Sequence, residues 1–579
     1  IWHWTSGRRD SRPRGTLTAI KRLITVALLQ QGVVQRPIGI VHALMFWAFG
    51  AMFIIFSLPL VGLNASLIPR VFYWAFNTAL IIGGLTLGVR LLFITRKQRK
   101  LSSRETGLRL FAPLLISTIG FAHFLTQRGP NFEFLHLSLI AVFFAIIPYS
   151  RLLHVFAVPL WLLLRPEQRL AIPTPFNLSQ QSEDEIISSD IPLGPRNWRD
   201  FPCSTLLAFD ACTRCGRCED ACPAVAPDTA FSPAAIMKQL QQNGGRDKTV
   251  LPVDIARRFE VDACTSCGLC ESVCPVGLEP ITAVLELRRS LAYEDEFESG
   301  HNDALRRLAR RGVMWDPERN PPGVLEGPVS WPPDQSEEAP ELIYWLGCSG
   351  RHEPRAQEIA KTVASLLDRA GVRWTCAGNA ETCTGDPARR MGDEGLFQRQ
   401  ALKVIKLLRQ SRARQVLVNC AHCFNAIAKE YPNFGGEFNV IHHTEFLNQL
   451  VQTQRLGKLE ALPRVIAFHD PCYLGRHNGL FQPARDALVE ISGLSIVELE
   501  DSRESSKCCG AGGGRLWRQA EPGATMAQSR ANQVIASDAD TLATGCPFCL
   551  SMLEDPVASS GMKIQDISEI IADAIREQR

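Results

Sequence analysis

Long, almost uninterrupted apolar stretches crowd the first third of the chain and are absent from the rest. Four of them, near Ile38–Val61, Phe72–Ile94, Leu108–Leu125 and Phe134–Leu164, reach the ~20 residues an α-helix needs to cross a bilayer core of ~30 Å. The last is long enough to tilt or protrude. Ahead of them, Ile1 to Arg36 is basic (Arg8, Arg9, Arg12, Arg14, Lys21, Arg22, Arg36), and its apolar patch Leu23–Leu29 is too short to span. That combination predicts a segment lying along the membrane surface. Beyond Arg165 a polar, proline-containing stretch, Pro166–Pro202, leads to a region in which Pro233–Leu240 reads as helix, and a second Pro-rich stretch covers Asp316–Glu341. From there short apolar runs (Leu342–Leu346, Val416–Val418, Val465–Phe468, Thr541–Thr544) alternate with amphipathic ones such as Ala356–Leu367. Strand followed by helix predicts α/β units.

At 579 residues the chain has room for about three or four domains. A net charge of +3, with no basic stripe interleaved with aromatics in the soluble part, gives no sign of nucleic-acid binding. The 19 cysteines change the picture. Most fall in Cys-x-x-Cys or Cys-Cys groups, which points to metal ligation in a reducing compartment rather than to a disulfide framework. Independently, the connection Thr95–Lys100, continuing to Arg104 and Arg109, is strongly basic, whereas Gly62–Arg70 and Gln127–Phe132 carry one Arg each. The positive-inside bias then puts the basic loop, the N-terminus and everything after Arg165 in the cytoplasm. The expected location is the inner membrane, multi-pass, with the cysteine domains cytoplasmic. The chain opens at Ile1 rather than at a methionine, which leaves room for an upstream piece.

Two cysteine runs carry the most specific chemistry: Cys212-x2-Cys215-x2-Cys218-x3-Cys222-Pro223 and Cys264-x2-Cys267-x2-Cys270-x3-Cys274-Pro275. This is the bacterial ferredoxin run, in which three thiolates grip one 4Fe-4S cluster and the fourth reaches to the other. On that pattern Cys212, Cys215, Cys218 and Cys274 hold one cluster, and Cys264, Cys267, Cys270 and Cys222 the second. Paired Cys-x2-Cys motifs also build zinc sites, but the doubled order with both prolines favours clusters. Cys203 stands outside the motif as a bystander.

The last 240 residues or so repeat with a period of about 125. The second copy reads Cys472-x35-Cys508-Cys509-Gly510-x35-Cys546-x2-Cys549, and the first reads Cys348-x34-Cys383-Thr384-Gly385-x34-Cys420-x2-Cys423. The cysteines follow the predicted strands, where the ligands of α/β sheets belong. Five thiolates in one copy exceed what a cubane needs, and the first copy, with Thr384 in place of a cysteine, retains four. Cys376 is not assigned. Cys509-Gly-Ala-Gly-Gly-Gly514 lacks the Lys-Ser/Thr end of a phosphate loop, so close backbone approach explains its glycines better. His442, His443 and His469 stand where they could act near a cluster or a docked partner.

Histidines inside membrane spans usually have a function. His42 lies near the start of the first predicted span. His136 and His154 lie 18 residues apart in the fourth, five helical turns or roughly 27 Å along one face. His42 and His154 can therefore meet at one depth and hold a b-type haem between them. The helical part resembles the cytochrome b gamma subunit of respiratory nitrate reductase, which implies two haems between paired histidines. Met52 stands where a second ligand on the earlier helix would be. His136 would then join His123, in a second haem site or a quinone pocket.

The two repeated modules resemble the CCG domain of heterodisulfide reductase catalytic subunits. The resemblance implies a non-cubane 4Fe-4S cluster on Cys472, Cys508, Cys509, Cys546 and Cys549, and a further 4Fe-4S cluster or a vestigial site on Cys348, Cys383, Cys420 and Cys423. With the double ferredoxin and the membrane part, the whole resembles the membrane-bound iron-sulfur oxidoreductases related to heterodisulfide reductase. Glu381–Arg390, Cys420–Asn425 and His442–Phe446 look most like the branch serving electron transfer flavoprotein.

The expectation is a multi-domain fold: an α-helical membrane bundle (1–165), a linker (166–202), a helical double 4Fe-4S ferredoxin domain (203–300), a linker (301–340) and two α/β CCG modules (341–460 and 461–579). The expected partners are electron transfer flavoprotein, a membrane quinone (menaquinone or ubiquinone) and the lipid bilayer. Two other readings stay open. One is a disulfide reductase drawing on quinol, and the other a non-catalytic redox sensor or assembly subunit.

Overall fold

The computed structural model describes residues 2–57, 70–99, 103–126, 130–167, 170–189, 191–225, 229–244, 249–319, 322–323, 325–334, 336, 338–518 and 525–576. The C-terminal half contains two four-stranded parallel sheets of identical topology. In the first, β1 (Leu342–Trp345), β2 (Trp374–Thr375), β3 (Gln415–Val418) and β4 (Val440–His442) lie in the order β2-β1-β3-β4. In the second, β5 (Val465–His469), β6 (Ser495–Val497), β7 (Thr541–Thr544) and β8 (Lys563–Asp566) lie in the order β6-β5-β7-β8. In each sheet the strand order reverses between the first and third strands, the crevice where open α/β sheets bind ligands. Cys348 and Cys420 follow β1 and β3; Cys472 and Cys546 follow β5 and β7.

The modules are not independent. One hydrophobic core takes Leu342, Tyr344, Ile359 and Leu367 from the first module together with Ile466, Leu488, Leu550 and Ile570 from the second. Helix Ser299–Arg311 crosses the boundary drawn at residue 300, because its apolar face (Ala304, Leu305, Leu308) completes the other side of the first sheet.

The ferredoxin region is helical, with Cys203–Ala211, Pro233–Asn243, Pro252–Arg258 and Pro280–Tyr293 around the two cysteine runs. Its core extends beyond residues 203–300. Trp4 and Ala27 from the N-terminal segment and Leu153, Ala157, Val158, Trp161 and Leu162 pack with Phe201, Leu206, Leu207 and Val284.

Here the four-span expectation is met only in part. Two stretches among the described residues are long and apolar enough to cross a membrane, Thr16–Val34 and Pro37–Ile55. The former extends well beyond the short patch Leu23–Leu29, and the latter is the first predicted span. The second and third predicted spans are helical over Arg70–Arg99 and Ser103–Leu125. The fourth is not one helix. Pro130–Ile146 ends in a 3-10 turn at Ile147–Tyr149, Ser150 is extended, and a new helix starts at His154. Pro148 accounts for the break, since proline cannot donate to the preceding turn and disfavours helix in the residue before it. The new helix, His154–Leu164, buries one side in the ferredoxin core. The helices before it present large apolar side chains outward, among them Leu44, Trp47, Phe53, Ile54, Ile82, Val89, Phe121 and Phe134. The loop residues 62–69, 100–102 and 127–129, on which the expected orientation partly rests, lie outside the described residues.

Candidate metal centres

The two ferredoxin-type runs fold into matching loops. In each, the second residue after the leading cysteine is left-handed (Arg214, φ 54°; Ser266, φ 51°). A left-handed glycine follows the second cysteine (Gly216, φ 81°; Gly268, φ 83°), and a short helix then carries the third. Such turns aim successive N–H groups at one point, a nest suited to anionic sulfur. Ser266 N donates to Cys264 Sγ and Leu278 N to Cys274 Sγ, each at 3.3 Å.

The fourth cysteine of each run crosses over. Cys222 lines one small cavity with Cys264, Cys267 and Cys270. Burial, and then the Cys267 and Cys264 thiols, push the Cys222 thiol up. In the other set, burial and then Cys212, Cys274 and Cys215 push up Cys218. Ionising such a cluster of buried thiols without a positive core is costly, so four sulfurs facing one cavity suit an iron-sulfur cluster.

The first module gathers Cys348, Cys383, Cys420 and Cys423 around a second cavity, with Thr384 and, from the other module, Phe548 on its wall. Thr384 Oγ1 lies 3.8 Å from Cys423 Sγ. In the second module Cys472 lies against Cys508, Cys508 against Cys509, Cys509 against Cys549 and Cys549 against Cys546. Both modules repeat the amide-to-sulfur device of the ferredoxin loops, with Gly385 N to Cys383 Sγ at 3.5 Å and Gly510 N to Cys508 Sγ at 3.4 Å. The donor sets also touch one another. Cys420 of the first module meets Cys546 of the second, and Cys508 meets Cys267 of the ferredoxin region. Cys203 and Cys376 stand apart, donating to Gly7 O (3.0 Å) and Leu325 O (2.8 Å).

Close backbone approach explains the glycine stretch, but toward the ferredoxin loop. Gly513 has φ 68°, and a Cβ on it would overlap Cys264 O; one on Gly512 would overlap Thr265 O. Arg288, wholly buried, fastens the same junction by donating to Cys264 O (2.6 Å), Arg390 O (2.6 Å) and Gly513 O (3.1 Å). Sequence reasoning missed it, since an arginine on an amphipathic helix reads as solvated surface. Also missed was a stack of rings between the sites. His422, on the first module's cavity, lies 3.9 Å from Tyr473, which lies 3.9 Å from His477. His477 bonds Ser266 O at 3.0 Å in the ferredoxin loop. The signal was present in the positions of His422 between two cysteines and Tyr473 directly after one.

A buried run of alternating charges crosses the same region. Arg8 pairs with Glu286 (2.6 Å), Glu286 with Arg289 (2.9 Å), Arg289 with Glu394 (2.6 Å) and Glu394 with Arg389 (3.1 Å). Arg389 pairs with Glu430 (3.0 Å), Glu430 with Arg390, Arg390 with Asp386 (2.9 Å) and Asp386 with His422 (2.8 Å). Burial opposes ionisation of Asp386, but Arg390 and His422 outweigh it and bring its pKa down to about 2.

Of the other predicted histidines, His443 is bound to Asp566 (3.0 Å), and His442 caps the helix that follows it through Thr444. His469 lies with Cys509 and Cys549. His42 and His154 come from separate helices to a ring separation of 6.4 Å, and His42 Nδ1–H donates to Gln30 Oε1 at 3.0 Å. That fixes Nε2 as the nitrogen with a lone pair. The separation leaves room for a metal with bonds of about 2 Å to each ring. His136 is not on the helix of His154, so the same-face relation between them fails. It meets His123 at 4.8 Å, in direct ring contact.

The cysteine-rich domain (CCG) signature matches residues 342–428 and 466–554, and the 4Fe-4S dicluster domain signature residues 208–278. A probable iron-sulfur-binding oxidoreductase of Bacillus subtilis, FadF, is 30% identical over 495 residues, covering 76% of this chain and 69% of that protein. The chain belongs to the CCG-domain iron-sulfur oxidoreductases related to heterodisulfide reductase. Within this family, the EtfAB:quinone oxidoreductase of Syntrophomonas wolfei is 26% identical over 645 residues, covering 94% of this chain and 88% of that one. One subunit of the dihydromethanophenazine:CoB–CoM heterodisulfide reductase of Methanosarcina mazei is 30% identical over 394 residues, covering 64% of this chain and 95% of that one. As a CCG-domain oxidoreductase the chain is an iron-sulfur, electron-transferring protein, and its thiol sets are of the kind that family's 4Fe-4S clusters require.

Proposed function

We propose that the chain is a membrane-bound oxidoreductase that passes electrons from reduced electron transfer flavoprotein to the membrane quinone pool, menaquinone or ubiquinone. One observation carries this reading: the donor sets follow one another without a gap. First-module thiols meet second-module thiols at Cys420 and Cys546, and these meet the ferredoxin region at Cys508 and Cys267. At the far end Pro275, next to Cys274, packs on Gly32, and Arg217, next to Cys218, donates to Gly32 O at 2.6 Å. Two residues before Gly32, Gln30 holds His42.

In this reading Cys212, Cys215, Cys218 and Cys274 hold one 4Fe-4S cluster, and Cys264, Cys267, Cys270 and Cys222 another. Cys472, Cys508, Cys509, Cys546 and Cys549 hold a non-cubane cluster, Cys348, Cys383, Cys420 and Cys423 a further one, and His42 and His154 a b-type haem. Bound there, these groups would supply one-electron carriers. The protein fixes their ligands, buries the module sites and keeps neighbouring sites in contact; no side chain serves as nucleophile or general base. His136 with His123, whose rings touch and so leave no room for an iron between them, forms the candidate quinone pocket. The outward apolar side chains of residues 37–146 face lipid in a multi-pass arrangement, the cysteine domains face the cytoplasm, and the flavoprotein docks on the modules. The name of the S. wolfei relative supports the donor and acceptor.

The test is anaerobic mixing of the detergent-purified protein with enzymatically reduced electron transfer flavoprotein, following iron-sulfur and haem absorbance with and without a quinone analogue. Rapid reduction, reversed by quinone, is the expected result. Centres that stay oxidised with the flavoprotein but are reduced by quinol or a dithiol would move the disulfide reductase reading ahead.

A further inference from the structure

His469 ends β5, three residues before Cys472, and is 1% exposed. One of its ring nitrogens and the sulfurs of Cys509 and Cys549 all lie within 4.8 Å of one another, so the group could be taken for a set of metal ligands. Its hydrogen bonding says otherwise. Arg530 Nε donates to His469 Nδ1 at 3.1 Å. A guanidinium can only donate, so Nδ1 is the acceptor and the imidazole proton sits on Nε2. Arg530 is itself wholly buried and fixed by Asp501 O (2.8 Å) and Gln533 Oε1 (2.8 Å), so it cannot swing away cheaply. His469 Nε2 is buried and has no hydrogen-bond partner among the described residues. Leaving such a donor unpaired costs about 1–3 kcal/mol, and with Nδ1 occupied by Arg530 it is the ring nitrogen left to serve the nearby Cys509 and Cys549 sulfurs.

We propose that His469 is not a metal ligand but a positioning residue that donates Nε2–H to the Cys509 and Cys549 thiolates of the second module's cluster. The inference rests on the reading that these thiols hold a cluster. A donor to ligand sulfur stabilises the more negative, reduced state and so raises the site's potential. The first module carries a parallel: three residues before Cys348 stands Trp345, fully buried, its indole N–H likewise without a partner among the described residues.

The experiment uses the full chain, purified anaerobically, with iron and sulfide counted and each cluster titrated by EPR-monitored potentiometry. His469→Leu should keep its iron and shift one cluster, the one abolished by Cys509→Ser, to a more negative potential. His469→Gln, which retains an N–H, should recover part of the shift, and the ferredoxin clusters should not move. Pulsed EPR of the unaltered protein in D2O should show an exchangeable deuteron at that cluster with only weak nitrogen coupling. An unmoved potential in His469→Leu, loss of that cluster's iron in both His469 variants, or strong coupling to a directly bound nitrogen would each overturn the proposal. An iron count in Cys509→Ser equal to that of the unaltered protein would instead remove the cluster reading beneath it.

Discussion

Glu394 is the link between the ferredoxin helix Pro280–Tyr293 and the first α/β module, and Glu394→Gln tests whether the buried charges hold the two together. Glu394 is 2% exposed and accepts from Arg289 Nη2 (2.6 Å), Arg389 Nε (3.1 Å) and Gln398 Nε2 (2.9 Å). Removing one member of a buried pair costs about 3–5 kcal/mol, because the partner's charge is left uncompensated. Here each arginine keeps a second carboxylate, Glu286 for Arg289 (2.9 Å) and Glu430 for Arg389 (3.0 Å), and the glutamine amide keeps the shape. The lower end, about 3 kcal/mol, is therefore expected. That raises the population of the opened junction by about two orders of magnitude. Native-state proteolysis between residues 300 and 341 reads this population when opening is fast relative to cleavage. A cleavage rate within about threefold of the unaltered protein, under 1 kcal/mol, would refute the reasoning. Acid gives a second check on the same group. Burial alone would raise Glu394, but Arg389 and Arg289 outweigh it and hold its pKa below the ordinary 4.5. Its contribution is thus fully present above about 4.5 and is lost as pH falls through the lower folded value, so the junction should loosen below that pH in the unaltered protein and less so in Glu394→Gln.

Three further outcomes follow from the geometry. Cys274→Ser should abolish the cluster otherwise held by Cys212, Cys215 and Cys218 while Cys222→Ser abolishes the other, and EPR of the reduced variants distinguishes this crossed pattern from the uncrossed one. His154→Ala should remove haem absorbance and leave the iron-sulfur content intact; an unchanged haem spectrum would refute that ligand assignment. Gly513→Ala places a side chain at φ 68° against Cys264 O; strain and overlap should cost about 3 kcal/mol, read as a lower thermal midpoint and faster loss of iron, and a stability equal to the parent would contradict the close approach.

The thiol groupings were legible because the ferredoxin spacing encodes its own crossing, and the module sheets because Cys348, Cys420, Cys472 and Cys546 each trail a short apolar run. The membrane part was read less well. An apolar helix has the same composition whether it faces lipid or a protein core, so nothing in the sequence showed that Trp161 and Leu162 pack on the ferredoxin helices. Pro148 was the available sign that Phe134–Leu164 is not continuous. The junction residues were invisible for a different reason: Arg288, Arg289 and Glu394 sit on amphipathic helices whose polar faces read as solvated, and only the third dimension brings their charges together.

The two ferredoxin sites differ in their access to solvent. Cys264 and Cys267 are buried beneath the second module, whereas Cys215 of the other set is exposed. With Gly512 and Gly513 seated on the Cys264–Thr265 backbone, the second module covers one side of this site, while Cys222 and Cys270 on its other side stay partly exposed. Closure of the domains therefore narrows the route by which iron and sulfide reach this site, so packing favours loading it while the domains are still apart. The same asymmetry sets the course of oxidative damage: oxygen and chelators meet the Cys215 edge first, and the interior sites outlast it.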